Sequence, residues 1–395
     1  MRRGRMPDVL VMGGSLGGLT AALLLRDIGC RVTVHERSRA ALDSRGAGIV
    51  SHELTVRYLV EGGVMDVDEV STPARWLRYL DLEGRVVHEV GCRYRFTSWN
   101  SLHKALLAQF PPERYVLGSE VTGFRQGPDR VLVEFAGGGV EPCDLLVCAD
   151  GISSTARSLL LPGAEPAYAG YVGWRGTVAE SELHPGTRGA VGEAIIYHVG
   201  ERSHILTYPI PNHDGGVSPG RRLINFVWYR NVPEGEALDD LLTDVEGQRR
   251  PLSVPPGLVR PPFLAELRRA AQRLPAPMAE VVLKSPDPFI QAIFDVEVSQ
   301  MAFGRICLVG DAAFAARPHA AAGTAKAAAD GWALRDAMVG AGDVGRTLAL
   351  WEPGQLELGR RLVERARRMG RRSQFEGTWD PVDPTLAFGL YGPGH

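Results

Sequence analysis

The hexapeptide Gly13-Gly14-Ser15-Leu16-Gly17-Gly18 stands between an apolar run, Asp8 to Met12, and a stretch of helix formers, Leu19 to Asp27. Such a turn suits a phosphate: glycine lets the backbone pass close to the anion, and the helix start offers unpaired N–H groups and a positive dipole end. Gly13 permits the tight turn and Gly18 the close packing of helix on sheet. Ser15 stands where a glycine is usual, but it is small and can donate its hydroxyl to a phosphate oxygen. Glu36 ends the next β-branched strand, where a carboxylate meets a ribose diol. The unit reads as βαβ and as a dinucleotide site, with a purely structural turn as the alternative. Two further carboxylates follow buried runs: Asp150-Gly151 after Leu145 to Cys148, and Gly310-Asp311 after Ile306 to Val309. His319, Tyr208 and Arg175 are the candidates for proton transfer and charge stabilisation.

The elements that position these residues alternate in type. Residues 8 to 37 read as strand, turn, helix, strand, and residues 131 to 148 as a hairpin turning at Gly137-Gly138-Gly139 followed by a buried strand. From about 166 to 297 the texture becomes β-prone and aromatic, as in "RLINFVWYRNV", and predicts an antiparallel sheet. A helix from about Thr324 to Val339 and a last helical region, Trp351 to Arg372, close the pattern. The α/β signature comes first and last, so one discontinuous nucleotide-binding domain carries a β-rich insertion. The arginine-rich face between Arg360 and Arg372 reads as solvated or as a subunit contact, which leaves a homo-oligomer open.

A formal net charge of −2, with 45% apolar and 23% charged residues, gives no general pull on nucleic acid or an anionic membrane, and neither is expected as a partner. Five scattered cysteines with no C-x-x-C spacing indicate neither a disulfide framework nor a metal site, and fit the cytoplasm. The opening, with Arg2, Arg3 and Arg5 before an apolar stretch, imitates a secretion signal. Clustered glycines, the lack of a small-residue cleavage site and the placement of Glu36 argue against that reading, and Met6 is a second candidate start.

The glycine turn, Asp150-Gly151-x-x-Ser154-x-x-Arg157 and Gly310-Asp311 occur in the order and at the separations of three fingerprints, and here the sequence resembles the class A flavin-dependent aromatic hydroxylases, relatives of p-hydroxybenzoate hydroxylase. The stretches "EPAYAGYVGWRG", "YPIP", "NFVWYRNV", "RFTSW" and "RPHAAAG" are similar to those of the 2,6-dihydroxypyridine 3-monooxygenase branch, over nearly the whole chain. Pyridinol hydroxylases of piericidin-type biosynthesis are the competing likeness. The resemblance implies an α/β fold with a discontinuous FAD-binding, Rossmann-like domain of glutathione reductase type (1–75, 98–165 and 298–350) and an inserted antiparallel β-sheet substrate domain (76–97 and 166–297). A C-terminal helix and extended tail (351–395) follow. It also implies non-covalent FAD, NAD(P)H docking transiently without a βαβ unit of its own, O2, and a small aromatic substrate hydroxylated through a flavin C4a-hydroperoxide.

The expected cofactor-binding set is Gly13, Ser15, Leu16, Gly18, Glu36, Arg37, Arg45, Asp150, Asp311, Gly323 and Thr324. The expected pocket is Trp174, Tyr208, Phe226, Trp228 and Pro318, with His319, Tyr208 and Arg175 catalytic; His198 and His204 read as structural. Three departures stand out: Phe314 where the family's Gly-Asp-Ala-Ala-His ends, Ala321-Ala322-Gly323-Thr324-Ala325 for G-x-G-x-N, and Trp99 where many relatives carry an arginine. An FAD oxidase without oxygen transfer and a non-catalytic flavin sensor are the other readings.

Overall fold

A computed structural model describes residues 6–40, 42 and 48–395. Arg45 lies outside the described residues.

Strand Asp8–Met12 is the middle of a six-stranded sheet. It pairs in parallel with Arg31–Glu36 on one side and Leu145–Cys148 on the other. Ile306–Leu308 extends the parallel run beyond Leu145–Cys148, and Tyr115–Leu117 extends it beyond Arg31–Glu36. Neighbours on opposite sides of one strand create a topological switch point, and a crevice opens beyond the strand ends there. The apolar runs that mark these strands in the sequence are buried on both faces: Val11, Val34, Leu145, Leu146, Val147, Cys148, Cys307 and Leu308 are fully enclosed. Helix Leu16–Asp27 packs on one face beside helix Gly323–Ala341, where a Cβ at Gly331 would press on the Ala21 backbone.

A nine-stranded sheet forms the second layer, with Phe289–Asp295, Ala167–Ala179, Leu223–Asn231, Ser203–Ile210 and Ala194–Gly200 in consecutive antiparallel order. Its far end departs from the expected insertion. Ala194–Gly200 pairs in parallel with Thr72–Leu80, and Val86–Ser98 then pairs with Gly48–Val50, so chain from before residue 75 belongs to this sheet. One face of the sheet packs on helices Pro261–Ala271 and Ala276–Lys284; the other faces the first layer. A three-stranded sheet carries the glycine hairpin, Val131–Phe135 to Val140–Cys143.

The long helix Val344–Arg371 crosses the back of the site and tolerates Pro353 within it. Of the arginines from Arg360 to Arg372, Arg360, Arg361, Arg368 and Arg371 are exposed, as a solvated face predicts, and the other three are engaged. Arg365 is buried, Arg367 pairs with Asp295 and Glu297, and Arg372 pairs with Asp383. The tail beyond it folds back: Trp379, Leu386, Phe388 and Leu390 are buried against the cavity face of the large sheet.

Candidate active site

The two layers enclose a cavity of about 440 Å³. At one end lie Ser15, Leu16 and Gly17, and beside them Ala149 and Gly151. Gly310 and Asp311 form the next wall, and Gly323 and Thr324 begin a helix at the same opening. Two helix starts therefore aim at one space, each with first-turn N–H groups that lack an intrahelical acceptor.

The glycines of the first turn are required sterically. Gly13 holds φ of 103°, and a Cβ there would overlap the Ala149 carbonyl oxygen; a Cβ on Gly18 would overlap the Gly13 carbonyl oxygen, and one on Gly14 the Tyr115 hydroxyl. Glu36 braces the turn: Oε2 accepts from the Gly14 N–H at 2.9 Å and Oε1 from the Ser38 N–H at 2.9 Å. Arg37 beside it is exposed. Asp150 accepts from the Ser154 hydroxyl at 2.6 Å and from the Ala156 N–H at 3.1 Å, which caps helix Thr155–Leu160. Burial lifts its carboxyl above the ordinary range, against the pull of those donors. Asp311 is exposed to the cavity, and the protein packed behind it raises its carboxyl by desolvation, opposed by the Lys326 ammonium.

The departures from the family pattern have structural counterparts. Phe314 is buried where Gly359 of the long helix leaves room, since a Cβ there would overlap the ring, and Lys326 Nζ sits 5.0 Å above it. Ala321 adopts φ of 54°, a left-handed backbone that glycine takes freely and alanine at a cost of roughly 1 kcal/mol. The loop is held in that form from outside: the Ala321 carbonyl accepts from His52 Nε2 at 2.9 Å, burial keeping that imidazole neutral. Trp99 lines the cavity and stacks on His103, 4.6 Å between centroids, whose Nε2 meets the Gly14 carbonyl at 3.0 Å. An indole wall replaces the arginine.

Strand parity decides the substrate end. Across the sheet, Gln291, Gly173, Tyr229 and His204 form one register row, and Arg175, Val227 and Leu206 the next; all but Gly173 line the cavity. Tyr208 and Pro318 line it as expected. Trp174, Phe226 and Trp228 do not, which corrects the expected pocket. They alternate with the cavity-facing residues and point to the other face, in the core against the two helices. Arg175 has no ion-pair or hydrogen-bond partner among the described residues, and its Nε is buried without one.

His204 enters the site although the sequence marked it as structural. It is buried, 5.2 Å from His319 between ring centroids and 4.7 Å from Tyr229, and its Nδ1 lies 3.2 Å from the Gln374 amide nitrogen. His319 Nε2 lies 2.7 Å from the Tyr171 hydroxyl, and its Nδ1 is buried without a partner. Burial lowers both imidazoles, His204 to about 3, so both are neutral at neutral pH. Tyr208 donates to the Gly48 carbonyl at 2.9 Å, and burial raises its hydroxyl well above the ordinary range, so it acts as a donor. By contrast His198 binds the Leu80 carbonyl at 2.9 Å outside the cavity.

The His204 shift has a stability consequence. The unfolded imidazole takes up a proton below pH 6.5 and the folded one does not until about pH 3, so stability falls as pH drops through that window. At pH 5 the loss from this one group is about 2 kcal/mol. Between pH 7.5 and 5, the His204→Gln variant therefore loses about 2 kcal/mol less stability than the parent in urea titrations. Equal losses would refute the assignment.

A flat ring system carrying a diphosphate tail fits this space: the glycine cradle at one end, Asp311 between, and a second helix start beside the aromatic sheet face. Comparison with known proteins agrees. Residues 168–295 match the family model described as FAD binding domain-like. The chain is 39% identical over 383 residues to the 2,6-dihydroxypyridine 3-monooxygenase of Paenarthrobacter nicotinovorans, covering 97% of this chain and 95% of that one. The solved 2,6-dihydroxypyridine-3-hydroxylase of Arthrobacter nicotinovorans superposes with a TM-score of 0.93 at 37% identity, covering 99% and 98% of the two chains. A Klebsiella pneumoniae protein solved with FAD and uric acid shares the fold, with a TM-score of 0.78 at 24% identity over 95% and 90%. No helix among the described residues is long and apolar enough to cross a membrane. With such identity over nearly its full length, the chain belongs to the FAD-dependent aromatic-ring monooxygenases, flavoproteins that use NAD(P)H and O2.

Proposed function

We propose that this monooxygenase hydroxylates a small, electron-rich ring bearing hydroxyl groups, a dihydroxypyridine or related pyridinol in preference to a plain phenol. The observation that carries the reading is Arg175, a guanidinium without a partner facing the same cavity as Tyr208, Tyr229, His204 and Gln291. A lone cation there favours a substrate oxygen that is anionic or becomes so, and the similarity to a 2,6-dihydroxypyridine 3-monooxygenase favours a pyridinol over a phenol.

FAD, when bound, accepts hydride from NAD(P)H and activates O2 towards an electron-rich ring. Gly13, Ser15, Leu16 and Gly18 would hold its diphosphate, Glu36 with Arg37 the adenosine side, Asp150 and Asp311 the central chain, and Gly323 and Thr324 the ring edge. The start of helix Gly323–Ala341 offers that edge a positive dipole end. Arg175 stabilises the ring oxyanion, so that charge builds on the carbon to be hydroxylated. His204 or His319, both neutral, accepts a hydrogen bond from the ring hydroxyl, and Tyr208, whose own proton goes to the Gly48 carbonyl, accepts another that orients the ring. Aromatic walls keep water from the reacting ring. NAD(P)H docks transiently in the same cleft. The enzyme works in the cytoplasm.

A panel of hydroxypyridines and phenols tests this. Expected are NAD(P)H and O2 consumed together only with an accepted ring, and a product heavier by one oxygen. Peroxide without hydroxylated product from every hydroxypyridine overturns the substrate assignment. Asp311→Ala weakens FAD binding about a hundredfold, read by gel filtration and absorbance, because its cavity-facing carboxylate is the polar group between cradle and ring site. A variant that keeps its full yellow flavin would refute this role.

A further inference from the structure

A second cavity of about 410 Å³ lies behind the first. Phe388 and Val50 line both, so together they form the partition. The second chamber is otherwise polar, with Ser51, Arg93, Arg95 and the chain end at His395 around it. We propose that Phe388, brought into place by the C-terminal segment, is the specificity-determining end wall of the ring cavity: it confines the enzyme to compact single rings and excludes rings bearing a long substituent.

Three features of the chain make Phe388 a wall and not a loose plug. Its backbone N–H donates to the Tyr94 hydroxyl at 3.2 Å, and its ring packs on Tyr94 at 5.0 Å between centroids. The Gly389 N–H donates to the Ala320 carbonyl at 3.1 Å, while Arg365 binds the Gly389 carbonyl. The Gly394 N–H returns to the Phe388 carbonyl at 2.8 Å. The segment is thus tied to the same 318–322 loop that shapes the ring site, and Trp379 anchors its other end by stacking on His204 at 5.2 Å. A side chain so fixed cannot swing aside cheaply, so substituent length is read against its ring. Trimming it joins the two chambers and gives a substituent a polar-lined space to occupy.

The proposal rests on the ring-hydroxylase reading, and its test separates the two. The FAD-loaded enzyme and its Phe388→Leu and Phe388→Ala variants are titrated with 2,6-dihydroxypyridine and its 4-propyl and 4-hexyl homologues, with binding followed by the change in flavin absorbance. The parent is expected to bind the hexyl homologue at least tenfold more weakly than the unsubstituted ring. Phe388→Ala abolishes that ratio and Phe388→Leu, which keeps an apolar plug and a folded chain, reduces it about threefold. A ratio unchanged across the three proteins, or affinity lost in parallel for all ligands, overturns the proposal. Because binding needs no turnover, an enzyme that binds these rings without hydroxylating them refutes the reaction and leaves the wall standing.

Discussion

Replacing Arg175 with methionine lowers kcat/KM for the accepted ring a hundred- to a thousandfold while FAD stays bound. The methionine keeps most of the aliphatic volume, so sheet packing between Gly176 and Trp174 is preserved and the change isolates the charge. In the parent, the guanidinium faces the aromatic end of the cavity and makes no ion pair among the described residues, and a charge-assisted contact in such a site contributes more to a developing oxyanion than it does in water. Loss of one preorganised donor at a developing oxyanion typically costs about 10²–10³ in rate, or about 3 to 4 kcal/mol. The variant should recover as pH rises, nearly tenfold per unit until the free ring ionises in solution, because the substrate then arrives as its own anion. The parent shows a flatter profile over that range. Steady-state kinetics from pH 6 to 9 with an unchanged flavin spectrum would establish this. A loss below fivefold, or parallel pH profiles, would remove Arg175 from the chemistry and return it to a structural role.

That Arg175 faces the site and Trp174 does not is where sequence reading reached its limit. The glycine turn and the positions of Glu36, Asp150 and Asp311 after buried strands were legible because each is tied to a local event: a strand ending, a turn needing positive φ, a helix starting. Sheet faces are different. Alternation says that Trp174 and Arg175 lie on opposite sides, and that Phe226 and Trp228 oppose Val227 and Tyr229, but both sides of this sheet are buried and apolar. One signal in the sequence could have chosen. A helix-packed core has no place for an unpaired guanidinium, so Arg175 marks the cavity side and sends Trp174 to the other. Polar Asn225 and Asn231 mark the parity of Tyr229 in the same way. His204 was missed for a longer-range reason. Its neighbours His319, Gln374 and Trp379 are more than a hundred residues away, and no local pattern announces that meeting. The same holds for Phe388, whose Pro/Gly-rich surroundings read as an extended tail.

The second large effect lies behind the Gly310-Asp311 turn. Lys326 and Asp330 are both buried, joined at 2.7 Å and 2.8 Å one helical turn apart, and Asp330 Oδ2 also accepts from the Gly310 N–H at 2.8 Å. The carboxylate thus fixes the turn that presents Asp311, while the ammonium offsets its charge; burial alone drives Asp330 upward, and Lys326 and the Gly310 N–H oppose that. Lys326→Met removes the cation and leaves a buried acid with one N–H donor. Breaking a buried pair on one side typically costs about 3 to 5 kcal/mol, and the same is expected here in urea unfolding of the FAD-loaded enzyme at pH 7.5. Asp311 loses its opposing cation as well, so its carboxyl rises further and FAD is held less tightly. The double variant Lys326→Met, Asp330→Asn keeps an acceptor for Gly310 and buries no net charge, and it should regain more than half of the stability. This follows because the cost of the single change is an uncompensated charge and not a lost attraction. A single variant within 1 kcal/mol of the parent, or a double variant no better than the single, would show instead that the turn stands without the pair.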